Sequence, residues 1–407
     1  MANKANIKSV YWLENATQAY ANLEKNITAD VIIVGGGMTG LAAACQMKSL
    51  GATVVVLEED ILASGATGRN AGFLLSGTVE HYSRAVAIIG REKAKRLWAF
   101  SRNTVAEIAS ISREFDITCD LDINGSLHAA MDAQEDAEIK EDIRLMQEDG
   151  FRTEYVNSSD INKRIHGQNF VSGQITDSDG GFHPREFIAG LAERVHEKGQ
   201  LDIFEKTRVL DIESTSFDSI SVKTEKGTVS GHLVLLALNA YSQQLAPFLQ
   251  DKILPVRGHV IVTSPIKRTL WNETIYANFG YEYFRQLQNG RIIMGGMRET
   301  VPGGDGLHFD ESALPKVVTQ LEQFLSKHFL GDEKFQIEYS WGGMMGFSRD
   351  GLPIIGALPS MKNAFVAGGY TGHGMGFAWS IGKLAADVML EGSQENMDMF
   401  SMHRLVK

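Results

Sequence analysis

The sequence has 407 residues, of which 43% are hydrophobic, and its formal net charge at pH 7 is −11. Its mean hydropathy of −0.12 and the lack of an apolar run of ~18–20 residues argue against a membrane span, and the acidic balance argues against nucleic acid as a partner. Two cysteines, Cys45 and Cys119, argue against a disulfide framework, and a start without the apolar core of a signal peptide predicts a cytoplasmic protein.

The first motif is a strand, a glycine-rich turn and a helix. Residues 31–34 are the apolar run Val-Ile-Ile-Val, which predicts a buried strand. Gly35, Gly37 and Gly40 follow with the spacing G-x-G-x-x-G, and residues 41–50 have a helical composition. In a dinucleotide site the first glycine permits the turn, the second lets the backbone approach a pyrophosphate, and the third lets the helix pack close to the strand. The alternative is a glycine-rich turn in an ordinary βαβ unit.

The next predicted strand ends at an acidic residue. Residues 53–57 form this strand, and Glu58 follows it, 18 residues beyond the last glycine of the motif. A carboxylate at this position accepts hydrogen bonds from a ribose whose phosphates lie at the helix N-terminus. The motif therefore predicts a dinucleotide site, to which Met38, Thr39 and Glu59 add contacts.

A loop of small and polar residues follows at 64–72. Such a segment cannot build a core, but its backbone N–H groups can closely approach the polar edges of a ligand. A surface loop is the alternative, although unstructured loops of this length are usually functional or disordered. We predict that the loop wraps a cofactor through Gly65, Ala66, Thr67, Arg69, Asn70, Ala71 and Gly72.

The middle of the chain predicts helices and strands without an obvious site. Residues 83–116 have the pattern of one amphipathic helix, and Asn124-Gly125 predicts a hairpin turn between two strands. Residues 133–149 predict a charged helix with a solvated face, and a further helix begins near Pro184.

Strand patterns dominate from residue 207 onward. Short strands are predicted at 207–212, 219–224, 228–231 and 233–238. Residues 254–298 predict a second, antiparallel sheet with a hairpin at Asn289-Gly290. Its aromatic and cationic residues that could face a substrate are Tyr281, Tyr283, Arg285 and His259. Strand packing is the simpler interpretation of each of them.

A second glycine-rich loop lies near the C-terminus, where residues 365–390 predict a strand, the loop and a helix. Two such turns in one chain are much less frequent by chance than one. The loop places backbone N–H groups at a helix N-terminus, where they stabilise negative charge. Its residues are Gly372, His373, Gly374, Met375 and Gly376.

Together these motifs resemble those of the FAD-dependent amine and amino-acid oxidoreductases of the D-amino-acid oxidase superfamily. The resemblance extends over nearly the whole chain and is strongest to the gamma-glutamylputrescine oxidase and glycine oxidase-like branches. The segments that carry it are YWL, DVIIVGGGMTGLAAA, SGATGRNAGF, ALNAYS, PVRG, FRQLQNGRIIMGG, WGG, DGLPIIG and GGYTGHGMGFA.

The resemblance implies an α/β fold, α+β overall, with two domains that are discontinuous in sequence. A Rossmann-like FAD-binding domain would contain residues 1–84, 173–247 and 340–407. A substrate domain built on an antiparallel sheet would contain residues 85–172 and 248–339.

The resemblance also implies a reaction. A C–H next to an amine nitrogen gives a hydride equivalent to FAD, the imine hydrolyses, and oxygen or another electron acceptor reoxidises the flavin. The alternatives are an amino-acid or N-methyl-amino-acid oxidase or dehydrogenase, and an FAD-binding subunit without amine turnover of its own. An NAD-linked dehydrogenase is disfavoured, because no second Rossmann-like half follows residue 60.

Further site residues follow from the resemblance. Val209 and Asn239 are expected beside FAD, and the second glycine loop at its pyrimidine edge. The residues expected to be catalytic are His373, Tyr283, Arg285 and Trp341. His373 has two possible roles, because it can present its backbone N–H to the flavin or its ring to the substrate. No metal is expected.

Two departures from the family pattern bear on the substrate and the acceptor. Amino-acid-specific relatives carry an arginine for the substrate carboxylate where this chain has Met345, which favours an amine unless Arg285, Arg257 or Arg349 substitutes. The lysine that assists oxygen reduction in sarcosine oxidase has no counterpart in residues 291–295, which leaves oxidase and dehydrogenase activity both open.

Non-covalent FAD is expected. Covalent relatives use a cysteine before the C-terminal glycine loop or a histidine near the loop after the second strand. Here residues 338–372 contain no cysteine, and residues 60–72 contain no histidine.

Overall fold

The computed structural model describes residues 9–196, 201–216, 218–306 and 309–405. Within these ranges helices and strands alternate along the chain. The strands form a mainly parallel sheet of six strands, a mainly antiparallel sheet of eight strands and two smaller sheets. The α-helices span Met38–Ser49, Tyr82–Ile89, Arg91–Glu114, Ala133–Glu148, Ser158–Arg164, Pro184–His196, Pro315–Leu325, Ala378–Glu391 and Met397–Phe400.

The six-stranded sheet is parallel except for the pairing of its first two strands. In spatial order its strands are Ile354–Ala357, Ala364–Gly368, Leu233–Leu236, Val31–Val34, Val54–Leu57 and Leu201–Phe204. Successive side chains of a strand point to opposite faces. Val31 and Ile33 pack with the helices on one face, whereas Ile32 and Val34 pack with the four-stranded sheet on the other. Burial on both faces explains why these strands are continuous apolar runs.

The four-stranded sheet covers the second face. Its strands are Ile27–Thr28, Thr228–Gly231, Ser219–Thr224 and Val209–Ser216. A two-stranded ribbon pairs Phe73–Leu74 with Gly180–Gly181. The ribbon lies just after the 64–72 loop and ties it to the chain before the helix that begins at Pro184.

The eight-stranded sheet forms the other half of the molecule. Its strands are, in order, Ile337–Ser348, Ile253–Thr263, Ile292–Gly296, Glu282–Gln286, Thr274–Ala277, Ser126–Ala130, Ser172–Thr176 and Glu154–Asn157. All neighbours are antiparallel except the fifth and sixth strands, which are parallel. The predicted second sheet is therefore present, and the hairpin at Asn289-Gly290 is confirmed by the pairing of the strands on either side of it.

Two local predictions were wrong. The single helix predicted at 83–116 is divided at Gly90, whose φ of 84° takes the backbone out of the helical region. Asn124-Gly125 does not close a hairpin. Gly125 does turn the chain, with a φ of 95°, but the strand after it pairs with Ser172–Thr176 and Thr274–Ala277 instead of with its neighbour in sequence.

The division into two discontinuous domains stays a prediction. The sheets follow it in outline, but the boundaries at 173 and 340 fall inside Ser172–Thr176 and Ile337–Ser348, which both belong to the eight-stranded sheet. Parts of both predicted domains lie outside the described residues, namely 1–8, 197–200, 217, 307–308 and 406–407.

Candidate active site

A cavity of about 930 Å³ lies where the carboxyl ends of the parallel strands meet the eight-stranded sheet. Gly35, Glu58 and Asn239 line it beyond three of the parallel strands, and Val260 and Met344 line it from the eight-stranded sheet. Ligands of open α/β sheets bind beyond the carboxyl ends of the strands, and the volume is that of a cofactor pocket. This cavity is the candidate active site.

The N-terminus of the helix Met38–Ser49 faces one end of the cavity. Its N-cap residue, Gly37, carries no side chain to cap the helix, and the N–H of Met38 donates to Oγ1 of Thr67 at 3.0 Å. Gly40 sits so close to the preceding strand that a Cβ atom would lie 1.9 Å from the carbonyl oxygen of Gly35. The N–H groups and the positive end of the helix dipole make this a site for phosphate groups.

The carboxylate of Glu58 is held at the end of its strand by backbone groups. It accepts hydrogen bonds from the N–H groups of Gly36 at 2.8 Å and Asp60 at 2.9 Å. Because the Glu58 side chain also lines the cavity, a ribose hydroxyl could donate to a carboxylate that is already oriented.

Buried side chains hold three consecutive carbonyl groups of the 64–72 loop. Nε1 of Trp341 donates to the carbonyl of Arg69 at 2.8 Å, and Nε1 of Trp12 donates to that of Asn70 at 2.7 Å. Nε of Arg285 donates to the carbonyl of Ala71 at 3.2 Å. With its carbonyls turned toward these donors, the loop is fixed along the cavity wall although its own residues are small.

Polar contacts join the two glycine-rich loops. The hydroxyl groups of Thr39 and Tyr370 lie 2.5 Å apart, and Oδ1 of Asn239 accepts the N–H of Gly369 at 2.9 Å. Asn239 itself has a φ of 49°, a left-handed conformation that asparagine tolerates. These bonds tie the C-terminal loop to the helix Met38–Ser49 and to Asn239, which follows the strand Leu233–Leu236.

His373 lies in the C-terminal loop with its ring stacked on Tyr276, at 5.7 Å between centroids. Burial lowers the pKa of His373 to about 4, and His128 adds to the shift. The loop reaches the helix Ala378–Glu391 through a short 3-10 turn, Gly374–Gly376. The helix begins at Ala378, directly after the glycine-rich run, as the sequence pattern predicted.

The family comparison matches the chain over residues 30–388 to the family described as FAD dependent oxidoreductase, DAO. The chain belongs to this family. Its predicted family, its FAD cofactor and its class as an FAD-dependent oxidoreductase are thereby confirmed. The helix N-terminus that begins at a glycine, the oriented Glu58 carboxylate and the volume of the cavity all fit FAD.

Two relatives of this flavoenzyme cover most of its length. Gamma-glutamylputrescine oxidoreductase of Escherichia coli (strain K12) is 28% identical over 409 residues, which cover 97% of this chain and 91% of the relative. Probable oxidoreductase OrdL of Haemophilus influenzae is 26% identical over 384 residues, which cover 91% of this chain and 85% of the relative. The first of these agrees with the branch that the motifs resemble.

Among solved structures, L-proline dehydrogenase from P. horikoshii superposes with a TM-score of 0.77 at 20% sequence identity. The superposition covers 91% of this chain and 95% of that chain. At this identity the similarity concerns the fold, and it confirms the predicted Rossmann-like architecture with a second sheet.

The cavity brings together most of the residues predicted for the site of this flavoenzyme. Tyr283 is the predicted catalytic residue that joins His373 in the wall. The other predicted residues that line the cavity are Gly35, Gly37, Met38, Thr39, Glu58, Glu59, Gly65, Ala66, Thr67, Arg69, Asn70, Ala71, Val209, Asn239, Gly372, Gly374, Met375 and Gly376.

Four predicted residues lie behind the wall. Gly40 and Gly72 are at backbone contacts, and Arg285 and Trp341 are buried with their donors turned to the 64–72 loop. Arg285 also donates to the carbonyl of Phe182 at 2.7 Å, and burial lowers its pKa to about 10. Both side chains are therefore placed to support the loop, not to touch a substrate.

One arginine of the cavity wall beside Tyr281 was not selected from the sequence. Arg298 lines the cavity, with its guanidinium 2.8 Å from Asp305 and over the ring of Tyr281. The suggested substitute Arg257 is buried against Asp310, and Arg349 pairs with Asp251. In the sequence, the only indication of a role for Arg298 was its place at the end of residues 254–298, the stretch predicted to form the second sheet.

His259, the other candidate for a substrate contact, is fully buried. It bonds to the carbonyl of Gly304 at 3.1 Å and does not line the cavity. Tyr276 and Phe279 line the cavity instead, although neither was selected from the sequence. They lie on a strand and a turn whose position depends on pairing with Ser126–Ala130.

No helix in the described ranges combines the length and apolarity that a membrane crossing requires.

Proposed function

We propose that this flavoenzyme oxidises an amine at the C–H next to nitrogen to an imine, which hydrolyses to an aldehyde or ketone. The main support is an aromatic part of the cavity wall, formed by Tyr276, Phe279 and Tyr283 beside His373. We propose that this part of the cavity binds the substrate. Aromatic faces attract amine and ammonium groups and pack against their alkyl chains. The amine named in the E. coli relative supports the same substrate class.

Bound FAD supplies the acceptor for the hydride equivalent, and the protein supplies position and electrostatics. The N–H groups of the loop 371–376 are proposed to face the pyrimidine edge of the flavin. The helix Met38–Ser49 and Glu58 are proposed to hold the pyrophosphate and the ribose. Arg285, Trp341 and Trp12 are proposed as positioning residues that act through the 64–72 loop.

An amino acid or N-methyl-amino acid is the second candidate substrate, and Arg298 is the observation that favours it. A guanidinium can bind a carboxylate with two parallel hydrogen bonds. Asp305 already engages the guanidinium of Arg298, and Met345 lines the cavity where amino-acid-specific relatives carry arginine. The amine therefore ranks first.

Anaerobic mixing of the FAD-loaded enzyme with matched pairs of amines and their α-carboxylated counterparts tests the proposal. Bleaching of the flavin absorbance by the amines, with slower bleaching by the amino acids, is the expected result. Bleaching by amino acids alone, lost on replacement of Arg298 by alanine, would establish the second candidate. A flavin that no amine or amino acid bleaches would identify an FAD-binding subunit. In air, peroxide formation distinguishes an oxidase from a dehydrogenase that needs another acceptor.

Replacing Glu58 with alanine should weaken FAD binding about ten- to hundredfold. The variant would lose the charge-assisted hydrogen bonds between the Glu58 carboxylate and the ribose, which are worth roughly 1.5–3 kcal/mol. The dissociation constant is measured by fluorescence titration of the FAD-free protein, with Glu225→Ala as a surface control. An unchanged dissociation constant in Glu58→Ala would remove Glu58 from the ribose site.

FAD is proposed to be non-covalent, and acid precipitation should leave the yellow colour in the supernatant. Among the described residues no cysteine lines the cavity. Cys45 lies in the helix Met38–Ser49, where burial raises the pKa of its thiol to about 12, and Cys119 is buried beside Ser112. Colour that stays with the protein pellet would show a covalent bond.

A cytoplasmic location is part of the proposal. Fractionation of cells that express the protein tests it, and recovery outside the cytoplasm would contradict it.

A further inference from the structure

A side chamber of about 90 Å³ adjoins the main cavity beside His373. His81, Tyr276, Phe279 and His373 line both spaces. The rest of the chamber wall is rich in polar side chains, including Ser76, Ser126, His128, Asp142, Gln174, Thr176 and Asp179. A polar space of this volume holds several water molecules.

Two histidine nitrogens in this chamber have no protein partner. Nε2 of His81 and Nδ1 of His373 are both buried and make no hydrogen bond within the described part of the chain. Buried polar atoms are nearly always satisfied, and in a polar cavity water satisfies them. Since both residues line the chamber, water in it would connect His373, at the active-site cavity, with His81.

The contacts of His81 stabilise a proton on its ring. Its Nδ1 lies 2.6 Å from Oδ2 of Asp142, whose Oδ1 accepts the N–H of Ser83 at 2.8 Å. Donation from Nδ1 to this carboxylate leaves the lone pair on Nε2, which faces the chamber. Both side chains are buried, and the His81 ring stacks on His128 at 4.5 Å.

Burial and neighbouring charges together favour proton transfer from the neighbourhood of His373 toward His81. Burial lowers the pKa of His81, but the hydrogen bond and charge of Asp142, with Glu138 and Glu135, outweigh burial and raise it overall. The pKa of His373 is instead lowered. The titratable or charged groups that face His81 or share its chamber are Asp142, Glu138 and Glu135 of the helix Ala133–Glu148, His128 of the neighbouring strand, Glu80, Tyr82, Asp179, Tyr276 and His373.

We propose that the side chamber is a proton path, in which water carries the proton of the substrate's ammonium group past His373 to Nε2 of His81. This rests on the proposed amine oxidation, which requires a neutral amine. The N–H bond of the ammonium group breaks and its electron pair stays on nitrogen. The proton forms a new N–H bond at Nε2, and the resulting imidazolium is paired with Asp142. His81 is a proton acceptor that acts through water, and His373 positions that water.

Stopped-flow reduction of the FAD-loaded enzyme, with an amine that bleaches the wild-type flavin, tests the path between pH 6 and pH 10. The wild-type rate should rise with pH as His81 loses its proton. Asp142→Asn should move the midpoint of this rise about 1–3 pH units toward acid, because the imidazolium loses its carboxylate. His81→Asn should reduce the rate about 10²-fold and remove the rise, and added imidazole should restore part of the rate.

His232→Asn is the matched control, because the His232 ring is exposed, bonds to the backbone carbonyl of Asp218 and lines neither the cavity nor the chamber. FAD content and the unfolding temperature show whether each variant is folded. If His81→Asn does not fold, the pH profile of Asp142→Asn decides whether the path exists. A wild-type rate and pH profile in a folded His81→Asn or Asp142→Asn variant overturns the path and leaves the proposed function intact. A wild-type flavin that no amine reduces overturns the proposed function and the path together.

Discussion

Replacing Gly40 with alanine should destabilise the protein severely and abolish FAD binding. An added Cβ would lie 1.9 Å from the carbonyl oxygen of Gly35 and 3.3 Å from Cγ2 of Ile33. The first contact is with backbone, which cannot rotate away as a side chain can. Relief requires the helix Met38–Ser49 to move off the strand Val31–Val34, and this carries the phosphate-facing N–H groups out of place.

The expected loss of unfolding free energy in Gly40→Ala lies at or above the upper end of the ~1–3 kcal/mol that overpacking usually costs. It is measured by urea unfolding with excess FAD, together with FAD retention on gel filtration. Glu225→Ala is again the control, since Glu225 is exposed and does not line the cavity. A Gly40→Ala protein as stable as the control would contradict the close packing of helix on strand.

Replacing Arg285 with leucine should have the second large effect, and the effect should be on FAD binding and stability. The variant leaves the buried carbonyls of Ala71 and Phe182 without their donor. An unsatisfied buried acceptor costs roughly 1–3 kcal/mol, which gives a loss of about 2–6 kcal/mol for two. Arg285→Lys should recover only part of it, because an ammonium group lacks the fixed fork of the guanidinium.

A companion variant and a control distinguish support of the loop from contact with the substrate. Trp341→Phe keeps the packing and removes only the bond to the carbonyl of Arg69, so that it should weaken FAD binding less than Arg285→Leu does. Arg96→Leu breaks an exposed ion pair with Asp398 and should leave FAD binding unchanged. If Arg285→Lys raised the KM for the amine while FAD affinity and stability stayed at wild-type values, Arg285 would be a substrate contact after all.

Local patterns predicted the nucleotide end of the site well. The strand at 31–34, the turn after it and the start of the helix were predictable from about ten consecutive residues. This is because local backbone conformation sets both the tight turn and the helix start. The Asn289-Gly290 hairpin was predictable for the same reason. Asn124-Gly125 shows the limit, since the turn formed but the strand after it found partners about 46 and 148 residues away.

The roles of Arg285, Trp341 and Trp12 could not be read from the sequence. Their partners in the 64–72 loop are 214, 272 and 58 residues away along the chain. The family resemblance selected Arg285 and Trp341 as site residues, but only the packing of the eight-stranded sheet against the loop shows which way their donors point. The same holds for Arg298, which reaches the cavity after its sheet is assembled.

The sequence by itself determined the family, the FAD cofactor and the strand–turn–helix at the nucleotide end, and most of the site residues predicted from it line the cavity. These depend on spacing, periodicity and glycine conformations, which are properties of short segments. The tertiary structure alone decided which polar side chains meet, as in the side chamber where His81, His128, Asp142 and His373 converge from four elements. Hydrogen bonds and proton transfer require atoms within about 3 Å of each other, and only the packing of distant segments sets such distances.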